Sequence, residues 1–468
     1  MSTADDKIIK HDQDSLYAKR KDIYPREVHG IFARWRVAMV ALTLGLYYIL
    51  PWITMADGRQ ALLFDLPNRK FNIFMMTLWP QDLIYLSALL IISALGLFLF
   101  TSVGGRLWCG YACPQTVWTE VFLWIERKVE GSRQKQIKLA KSPWNTEKVI
   151  KKGGKHIIWL VFSLWTGLTF VGYFSPIREL TVSFVNWDLG PWETFWIFFY
   201  GFATYGNAGW LREQVCIYMC PYARFQSVMF DNNTLIISYD ERRGDPRGAR
   251  KRGKDKPTDK GDCIDCGLCV QACPTGIDIR DGLQYQCIAC AACIDVCDDV
   301  MDKMDYEKGL IRYTTVNEVN GKGLHIFRPR IFVYSAILLG LVVAMMWSLL
   351  VRIPVGVDIT RDRNILYREA ANGNLENVFK IRIMNQDDKT HTFVISLEGF
   401  PGAILDLDEK ETQVESGEII DTLVRVQASE EIIKDRSTNI TLRITATDDE
   451  KLTDDEDARF IAPADWFQ

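Results

Sequence analysis

Cysteine is missing from the whole C-terminal part of this chain: of twelve cysteines in 468 residues, none lies beyond Cys297. Disulfide bonds often stabilise exported domains. Because the C-terminal part has no cysteine, it cannot be stabilised in that way. The length excludes a small disulfide-rich secreted protein. Disorder is excluded as well, because 15 Trp, 24 Phe and 17 Tyr can bury a large apolar surface.

Asp, Glu, Lys and Arg are absent from five stretches of about bilayer length, which are Val37–Ala56, Leu83–Gly105, Ile157–Ile177, Thr194–Leu211 and Ile331–Val351. A membrane-spanning helix needs ~20 such residues. The fourth stretch is the shortest, but Trp192, Trp196 and Trp210 accompany it as interfacial anchors would. A buried helix of a soluble domain is the alternative for one run. Five uncharged stretches of this length exclude a soluble domain, because helices of soluble domains average ~11–12 residues. The sequence therefore predicts five transmembrane helices.

Basic residues are distributed unevenly over the loops. Lys and Arg are frequent before the first stretch and between the second and third, but rare after the first and after the third. Because cytoplasmic loops carry an excess of these residues, we expect a cytoplasmic N-terminus and an exported C-terminal region. The polar segment Met1–Arg36 is too long for a signal peptide, so we expect the first span to remain as an anchor.

Eight cysteines form two consecutive runs with the same spacing, C-x2-C-x2-C-x3-C. This is the spacing of bacterial two-cluster ferredoxins, in which the fourth cysteine of each run binds the other cluster. It predicts one [4Fe–4S] cluster on Cys263, Cys266, Cys269 and Cys297. It predicts another on Cys287, Cys290, Cys293 and Cys273. Zinc is the rival, but zinc sites usually use two separate C-x2–4-C pairs. Asp298 stands where a proline usually follows, and we expect it to loosen that turn without removing a ligand.

The other four cysteines form two C-x3-C-P motifs, one from Cys109 to Pro114 and one from Cys216 to Pro221. Each motif follows two apolar stretches, so the membrane part resembles a duplicated two-span unit. Residues i and i+4 share a helix face, and two thiolates there could chelate one soft ion. Alternatively, the proline marks a turn, because it disfavours helix at the preceding residue. Thiolates select Cu(I), Zn or an iron–sulfur cluster, so copper and a third metal centre both remain open.

The C-terminal region changes character. Four segments alternate apolar and polar residues or are rich in Val, Ile and Thr: Val378–Met384, Thr392–Leu397, Ile419–Gln427 and Asn439–Thr447. Short strands separated by turn residues are typical of an all-β sandwich. The basic stretch Arg242–Lys260 favours a solvated linker near anionic headgroups over a nucleic-acid site, so no nucleic-acid partner is expected.

These features predict a multi-domain membrane protein with five transmembrane α-helices, a two-cluster ferredoxin-like module and a C-terminal all-β Ig-like sandwich. The predicted boundaries are residues 1–36 for a cytoplasmic segment, 37–212 for a four-span membrane domain, 213–330 for the cytoplasmic ferredoxin-like domain, 331–351 for the fifth helix and 352–468 for the periplasmic sandwich.

The chain resembles the cytochrome c oxidase accessory proteins called CcoG, FixG or RdxA. The residues that carry the resemblance are Gly105-Arg-Leu-Trp-Cys-Gly-Tyr-Ala-Cys-Pro114, Cys216-Ile-Tyr-Met-Cys-Pro-Tyr222 and the cysteine-rich block from Gly261 to Val300. The likeness covers nearly the whole chain. The paired C-x3-C-P motifs are more specific than the ferredoxin spacing, which many proteins share.

The resemblance implies an inner-membrane polyferredoxin of bacteria that helps to assemble a cbb-type cytochrome c oxidase. It also implies cupric reductase activity, in which Cys109, Cys113, Cys216 and Cys220 are the copper-binding and catalytic residues. The implied partners are copper transporters or chaperones, oxidase subunits or assembly factors, and an unknown cytoplasmic electron donor. A quinol-linked carrier that feeds another oxidoreductase is the alternative, although the sequence reveals no quinol site. A non-catalytic assembly scaffold is a third interpretation.

Overall fold

The structure is a computed structural model that describes residues 22–56, 58–74, 76–250, 259–323, 327–361, 366–370, 373–387 and 389–463. Its contacts divide the chain into two compact units. The first comprises residues 1–63 and 88–341, and the second comprises residues 64–87 and 342–468. Part of the basic stretch, residues 251–258, and the first 21 residues lie outside the described ranges.

Helices dominate the first unit. In chain order the helices of the described residues are α1 (Ile31–Ile49), α2 (Leu83–Gly104), α3 (Leu107–Tyr111), α4 (Pro114–Glu130), α5 (Arg133–Lys141), α6 (Thr146–Val171), α7 (Ile177–Asn186), α8 (Pro191–Thr204), α9 (Pro221–Met229), α10 (Glu241–Gly244), α11 (Leu268–Ala272), α12 (Ala292–Met304), α13 (Val316–Val319) and α14 (Pro329–Val351). Within these ranges, four helical stretches are long and apolar enough to cross a membrane: Ile31–Trp52, α2, α6 and α14. They match four of the five predicted spans.

The remaining predicted span, Thr194–Leu211, is not one regular helix. Its α8 portion has 14 residues, and a π-helix continues it over Tyr205–Leu211. This stretch runs antiparallel to α6 in close contact. A Cβ placed on Gly167 would lie 2.3 Å from the Ile197 carbonyl oxygen, and one on Gly209 would lie 3.2 Å from the Trp159 ring. Small residues of this kind let membrane helices approach closely.

A buried charge network ties α4, α6 and the end of the π-helix together. The Lys155 ammonium lies 3.0 Å from the Glu126 carboxylate and 2.8 Å from that of Glu130. Arg212, just beyond the π-helix, pairs with Glu126 at 2.9 Å. Buried charges are costly unless they are paired, so the three segments are held in one arrangement. Cys113 precedes α4 and Cys216 follows Arg212, so the network also positions both C-x3-C-P motifs.

The strands in chain order are β1 (Leu62–Asp65), β2 (Lys70–Ile73), β3 (Met76–Leu78), β4 (Ile236–Tyr239), β5 (Ile311–Thr314), β6 (Val355–Arg361), β7 (Arg368–Glu369), β8 (Leu375–Asn385), β9 (His391–Glu398), β10 (Ile404–Leu407), β11 (Glu411–Val414), β12 (Ile419–Ala428), β13 (Ser437–Ala446) and β14 (Thr453–Ile461). In the first unit, β4 pairs antiparallel with β5 and packs with α11 and α12 around a small apolar core.

The second unit contains a sandwich of two antiparallel sheets. One has the order β10-β12-β8-β6, with β7 also paired to β8, and the other has the order β11-β9-β13-β14. Alternate residues of β8, such as Phe379, Ile381 and Ile383, are fully buried between the sheets. The predicted β-sandwich is thus confirmed, and the four predicted strands correspond to β8, β9, β12 and β13.

Candidate metal centres

The eight ferredoxin-type cysteines surround two separate small cavities in the first unit. One cavity is lined by Cys263, Cys266, Cys269 and Cys297. The other is lined by Cys273, Cys287, Cys290 and Cys293, with Cys269 at its border. The fourth cysteine of each run therefore faces the cavity of the other run. This is the ligand division that the spacing predicts, and we call the two sets the first and the second cluster site.

The backbone has the same shape in both cysteine loops. Asp265 and Ala289, each just before the second cysteine of its run, have φ near +53° and +54°. Gly267 and Ala291, each just after that cysteine, have φ of +63° and +59°. Non-glycine residues adopt this left-handed conformation only at a cost, and they concentrate at functional sites. The repeated geometry curls each loop around its cavity.

The end of the second run differs from the expected turn. Cys273 terminates α11 and Pro274 follows it, whereas Cys297 lies inside α12, which continues to Met304. The expectation of a loosened turn at Asp298 is wrong, because without a proline the helix simply continues. Asp298 instead accepts a hydrogen bond from the Gly309 amide at 3.0 Å. Cys297 still reaches the first cluster site.

The donor set and its spacing fit [4Fe–4S] clusters better than zinc. Across the described ranges, no three His, Cys, Asp or Glu side chains gather as they would around a single metal ion. The sulfurs surround cavities instead, as a cubane needs. Burial raises the pKa of Cys287 and Cys297 to about 12, so these thiols lose their protons only when a bound cation compensates the charge.

The two C-x3-C-P motifs adopt the turn rather than the continuous helix. Cys109 lies in α3, whereas Cys113 is extended and precedes α4, which begins at Pro114. Cys216 lies in a second π-helix, Val215–Met219, and Cys220 is extended before α9, which begins at Pro221. In both copies the proline takes the first helical position, where its missing N–H costs nothing.

The thiols of Cys109, Cys113, Cys216 and Cys220 lie in one region of the fold, although among the described residues no three of them gather around a single point, and we call them the four-thiol group. Burial, with smaller contributions from the thiols of Cys113, Cys109 and Cys220, raises the pKa of Cys216 to about 12. Burial, and to a smaller extent the thiol of Cys113, likewise raises the pKa of Cys109 to about 11. The Cys109 thiol donates to the Gln226 amide oxygen at 3.4 Å. The group is soft and partly shielded from water.

The second cluster site packs directly against the four-thiol group. A Cβ on Gly110, next to Cys109, would lie 2.7 Å from the Ile288 carbonyl oxygen and 2.9 Å from the Cys290 Cα. Tyr111 and Tyr313 share a hydrogen bond of 3.2 Å, and Tyr313 donates to the Ala289 carbonyl at 2.6 Å. The first cluster site includes the exposed Cys266. The second site therefore adjoins the thiols, and the first reaches the surface.

A large cavity of about 950 Å³ lies beside this junction. Cys216 and Cys290 both contribute to its wall, as do His29, Thr119 and Leu123. Its volume is at the upper end of the range for small-molecule sites. Sequence reasoning did not find it, because residues far apart in the chain form the wall. The sequence likewise does not distinguish Arg106 from the other basic residues of its loop, although its guanidinium lies between the two cysteine groups.

Three family models match the chain. One described as a 4Fe-4S dicluster domain matches residues 211–316, and one described as a 4Fe-4S binding domain matches residues 86–131. The third, described as an IG-like fold at the C-terminal of FixG, matches residues 345–463. The residue 86–131 match includes Cys109 and Cys113.

Curated relatives match over most of their length. Protein RdxB of Cereibacter sphaeroides is 40% identical over 87% of this chain and 90% of that protein. Nitrogen fixation protein FixG of Rhizobium meliloti is 37% identical over 83% of this chain and 82% of that protein. Protein RdxA of Cereibacter sphaeroides is 39% identical over 83% of this chain and 85% of that protein.

Fold, cysteine sites and family models together define an iron–sulfur membrane protein of the redox type with an Ig-like C-terminal domain. More narrowly, the chain belongs to the FixG/RdxA family. The resemblance seen in the sequence is thereby confirmed.

Proposed function

We propose that this protein is a cupric reductase that supplies Cu(I) for assembly of a cbb-type cytochrome c oxidase. The observation that carries the proposal is the contact between the second cluster site and the four-thiol group at Gly110. An electron store beside a soft thiol site suits the reduction of one Cu(II) ion to Cu(I) by one electron. Thiolates prefer Cu(I) to Cu(II), so the bound ion becomes easier to reduce.

The residues divide the work between electron storage and copper binding. Two [4Fe–4S] clusters on the eight ferredoxin-type cysteines would supply one-electron storage. The exposed Cys266 marks the side where a cytoplasmic donor would approach. The four-thiol group binds the substrate ion, and its buried thiols release protons as copper binds. Transporters or chaperones would deliver copper, and oxidase subunits or assembly factors would receive it.

Paired substitutions test the division of roles. Changing Cys109 and Cys113, or Cys216 and Cys220, to Ser should abolish Cu(II) reduction while iron content and cluster EPR signals stay at wild-type levels. Hard serine oxygens hold Cu(I) poorly. Tyr218→Phe alters an exposed residue inside the same motif and is the matched control. Wild-type reduction rates in both double variants would refute the copper site. Loss of an additional iron signal would show that the thiols hold a third cluster.

The large cavity gives a second candidate function, that of a quinol-linked electron carrier. It adjoins Cys290 of the second cluster site, and its lining includes His29 and Glu120, which could accept protons. Under this alternative, a reduced quinone analogue should reduce the clusters, and Thr119→Trp, which fills the cavity, should slow that step without affecting reduction by dithionite. If the reduced quinone analogue reduced the clusters at the same rate in wild type and in Thr119→Trp, the quinol alternative would be eliminated.

The third interpretation, a non-catalytic scaffold, makes a different prediction. A scaffold needs the fold but not electron transfer. A folded, membrane-inserted protein that lacks the clusters should then still support oxidase assembly. Loss of oxidase assembly in a correctly inserted Cys266→Ser variant would argue against the scaffold, because Cys266 is exposed and its loss disturbs little packing.

A further inference from the structure

Arg106 is a buried cation without an ordinary ionic partner. Arg106 is 6% exposed, and no described residue accepts a hydrogen bond from its Nε. Within the described ranges, no carboxylate lies at ion-pair distance from it. Burying an unpaired guanidinium lowers the stability of the fold by roughly several kcal/mol unless a nearby negative charge compensates it. The surroundings of Arg106 should therefore contain a negative charge in the working protein.

The guanidinium bridges two backbone segments that carry the metal sites. One terminal nitrogen donates to the Cys287 carbonyl at 3.2 Å, in the second cluster site. The other donates to the Ala223 carbonyl at 2.8 Å, three residues after Cys220. The guanidinium also lies over the Phe230 ring, 5.7 Å from its centre. These contacts fix the charge in one position.

The negative charge that Arg106 needs can come from cysteine. The largest electrostatic influences on the guanidinium, apart from burial, come from Cys109, Cys287, Cys216 and Cys220. Three of these belong to the four-thiol group and one to the second cluster site. Cysteine binds metal as the thiolate, so each of the four would carry negative charge once it is a ligand. Metal loading thus provides the charge that the apoprotein lacks.

We propose that Arg106 is a positioning residue whose fixed positive charge raises the reduction potential of the second cluster and stabilises anionic metal thiolate at the four-thiol group. Only the second part of this inference, the stabilisation of metal thiolate at the four-thiol group, rests on the proposed function. By favouring the electron on the cluster beside the thiols, the charge directs electrons from the first cluster site toward copper.

A copper-free redox titration tests the first part. EPR should resolve the second cluster in wild type, in Arg106→Gln and in Arg106→Lys. At a fixed ambient potential, the ratio of reduced to oxidised second cluster should be about tenfold lower in the Gln variant, a shift of about 59 mV for a one-electron couple. The Lys variant keeps the charge and should stay near wild type. The first cluster should not shift in either variant.

Arg330→Gln is the matched control. Arg330 also donates to a backbone carbonyl, that of Met229 at 3.1 Å, and lies over a ring, that of Tyr334. Its removal should leave the second cluster's potential unchanged. An equal shift in this control would overturn the proposal, since any lost arginine would then have the same effect.

The remaining outcomes of the titration and of iron analysis also decide for or against the proposed role of Arg106. An unchanged potential in Arg106→Gln with full iron content overturns the proposal. Loss of second-cluster iron in the Gln variant alone supports it, because the charge is then needed for loading. Loss in both Gln and Lys variants overturns it in favour of a hydrogen-bonding role. The titration needs no copper, so failure of cupric reduction in wild type would be seen separately.

Discussion

At the scale of single residues, the exchange of ligands between the two cysteine runs is the feature with the clearest consequences. Cys273 belongs to the first run but lines the second cavity, and Cys297 belongs to the second run but lines the first. Spacing alone predicts this exchange, because in two-cluster ferredoxins with this spacing the fourth cysteine of each run binds the other cluster.

Single serine variants can test the exchange. Cys297→Ser and Cys263→Ser should both impair the first cluster, whereas Cys273→Ser and Cys287→Ser should both impair the second. The measurement is iron per chain, near eight in wild type if two [4Fe–4S] clusters are present, together with EPR of the reduced protein. If Cys297→Ser and Cys287→Ser removed the same signal, each run would serve its own cluster.

His391 in the sandwich predicts a pH dependence. Its Nδ1 and Nε2 lie 2.7 Å and 2.8 Å from the carboxylates of Asp448 and Asp387. Although burial alone lowers it, the pKa of His391 is raised overall by hydrogen bonds to these two carboxylates and by their charges. The pKa of Asp448 is lowered, with the His391 hydrogen bond as the largest cause. A raised histidine pKa stabilises the fold below the unfolded value of ~6.5 and loses this effect as the pH rises through the folded value.

Hydrogen exchange on the full-length protein can measure this effect. Amides of β9 and of the segment after β13 should be best protected at a pH above the pKa of Asp448 and below that of His391. Protection should fall as the pH rises through the raised pKa of His391. In His391→Gln this dependence should disappear, while strands β12 and β8 serve as an internal reference. A rise in protection with pH through this range would contradict the assignment.

The residue scale also marks the limit of sequence reasoning. The eight cluster ligands were predictable, because their chemistry depends on local loop geometry. Arg106 was not, because its contact with Cys287 joins positions 181 residues apart. A buried arginine looks the same in sequence as the many solvated basic residues of the same loop.

At the scale of elements, the short segments around the C-x3-C-P motifs matter more than the long helices. The apolar stretches were predictable, because about twenty residues without charge leave few alternatives to a long helix. The π-helices Tyr205–Leu211 and Val215–Met219 were not, because their wider hydrogen bonding depends on tertiary contacts rather than on local propensity. Segments of this kind often occur at functional sites.

Gly110 in α3 offers the sharpest test at this scale. Gly110→Ala would place a methyl group 2.7 Å to 2.9 Å from backbone atoms of Ile288, Ala289 and Cys290, which cannot move independently. We expect a loss of stability of about 1–3 kcal/mol from overpacking, reduced second-cluster iron and slower copper reduction. These effects should appear in thermal unfolding, iron analysis and Cu(I) formation.

Gly154→Ala in α6 is the matched control, because the added Cβ meets nothing within 4 Å. Alanine should stabilise that helix by up to about 1 kcal/mol and leave the clusters intact. Equal behaviour of the two variants would mean that the contact between α3 and the second cysteine loop does not matter for either site.

At the scale of the whole molecule, the number of membrane crossings decides on which side each site lies. Four long apolar helices alone would return the C-terminal region to the side of the N-terminus, whereas five crossings would separate them. The sandwich was predictable from alternating strands, but β14 was missed because its acidic residues hide the alternation. The number of membrane crossings can be inferred only from how the helices of the first unit pack against one another.

That packing favours a crossing at the π-helical stretch. The loop after α2 touches the second cluster site through Gly110, so both lie on one side of the membrane. The Glu126–Lys155 ion pair joins the α4 end to the α6 start, and Glu126 also pairs with Arg212, four residues before Cys216. If α6 crosses, the chain must cross back before Cys216. Between Val171 and Cys216 every residue is described, and Pro191–Leu211, antiparallel to α6, is the long helical stretch there.

Reporter fusions that are active only in the periplasm distinguish five crossings from four. With five, a fusion after Asp188 should be active, fusions after Lys141 and Lys322 silent, and one after Ala462 active. With four, the fusion after Lys322 would be active and the one after Ala462 silent, because the chain would not return before the ferredoxin-type cysteines. We expect the first pattern, since only it keeps all twelve cysteines on the reducing side. That side preserves thiols and lets a cytoplasmic donor reach Cys266.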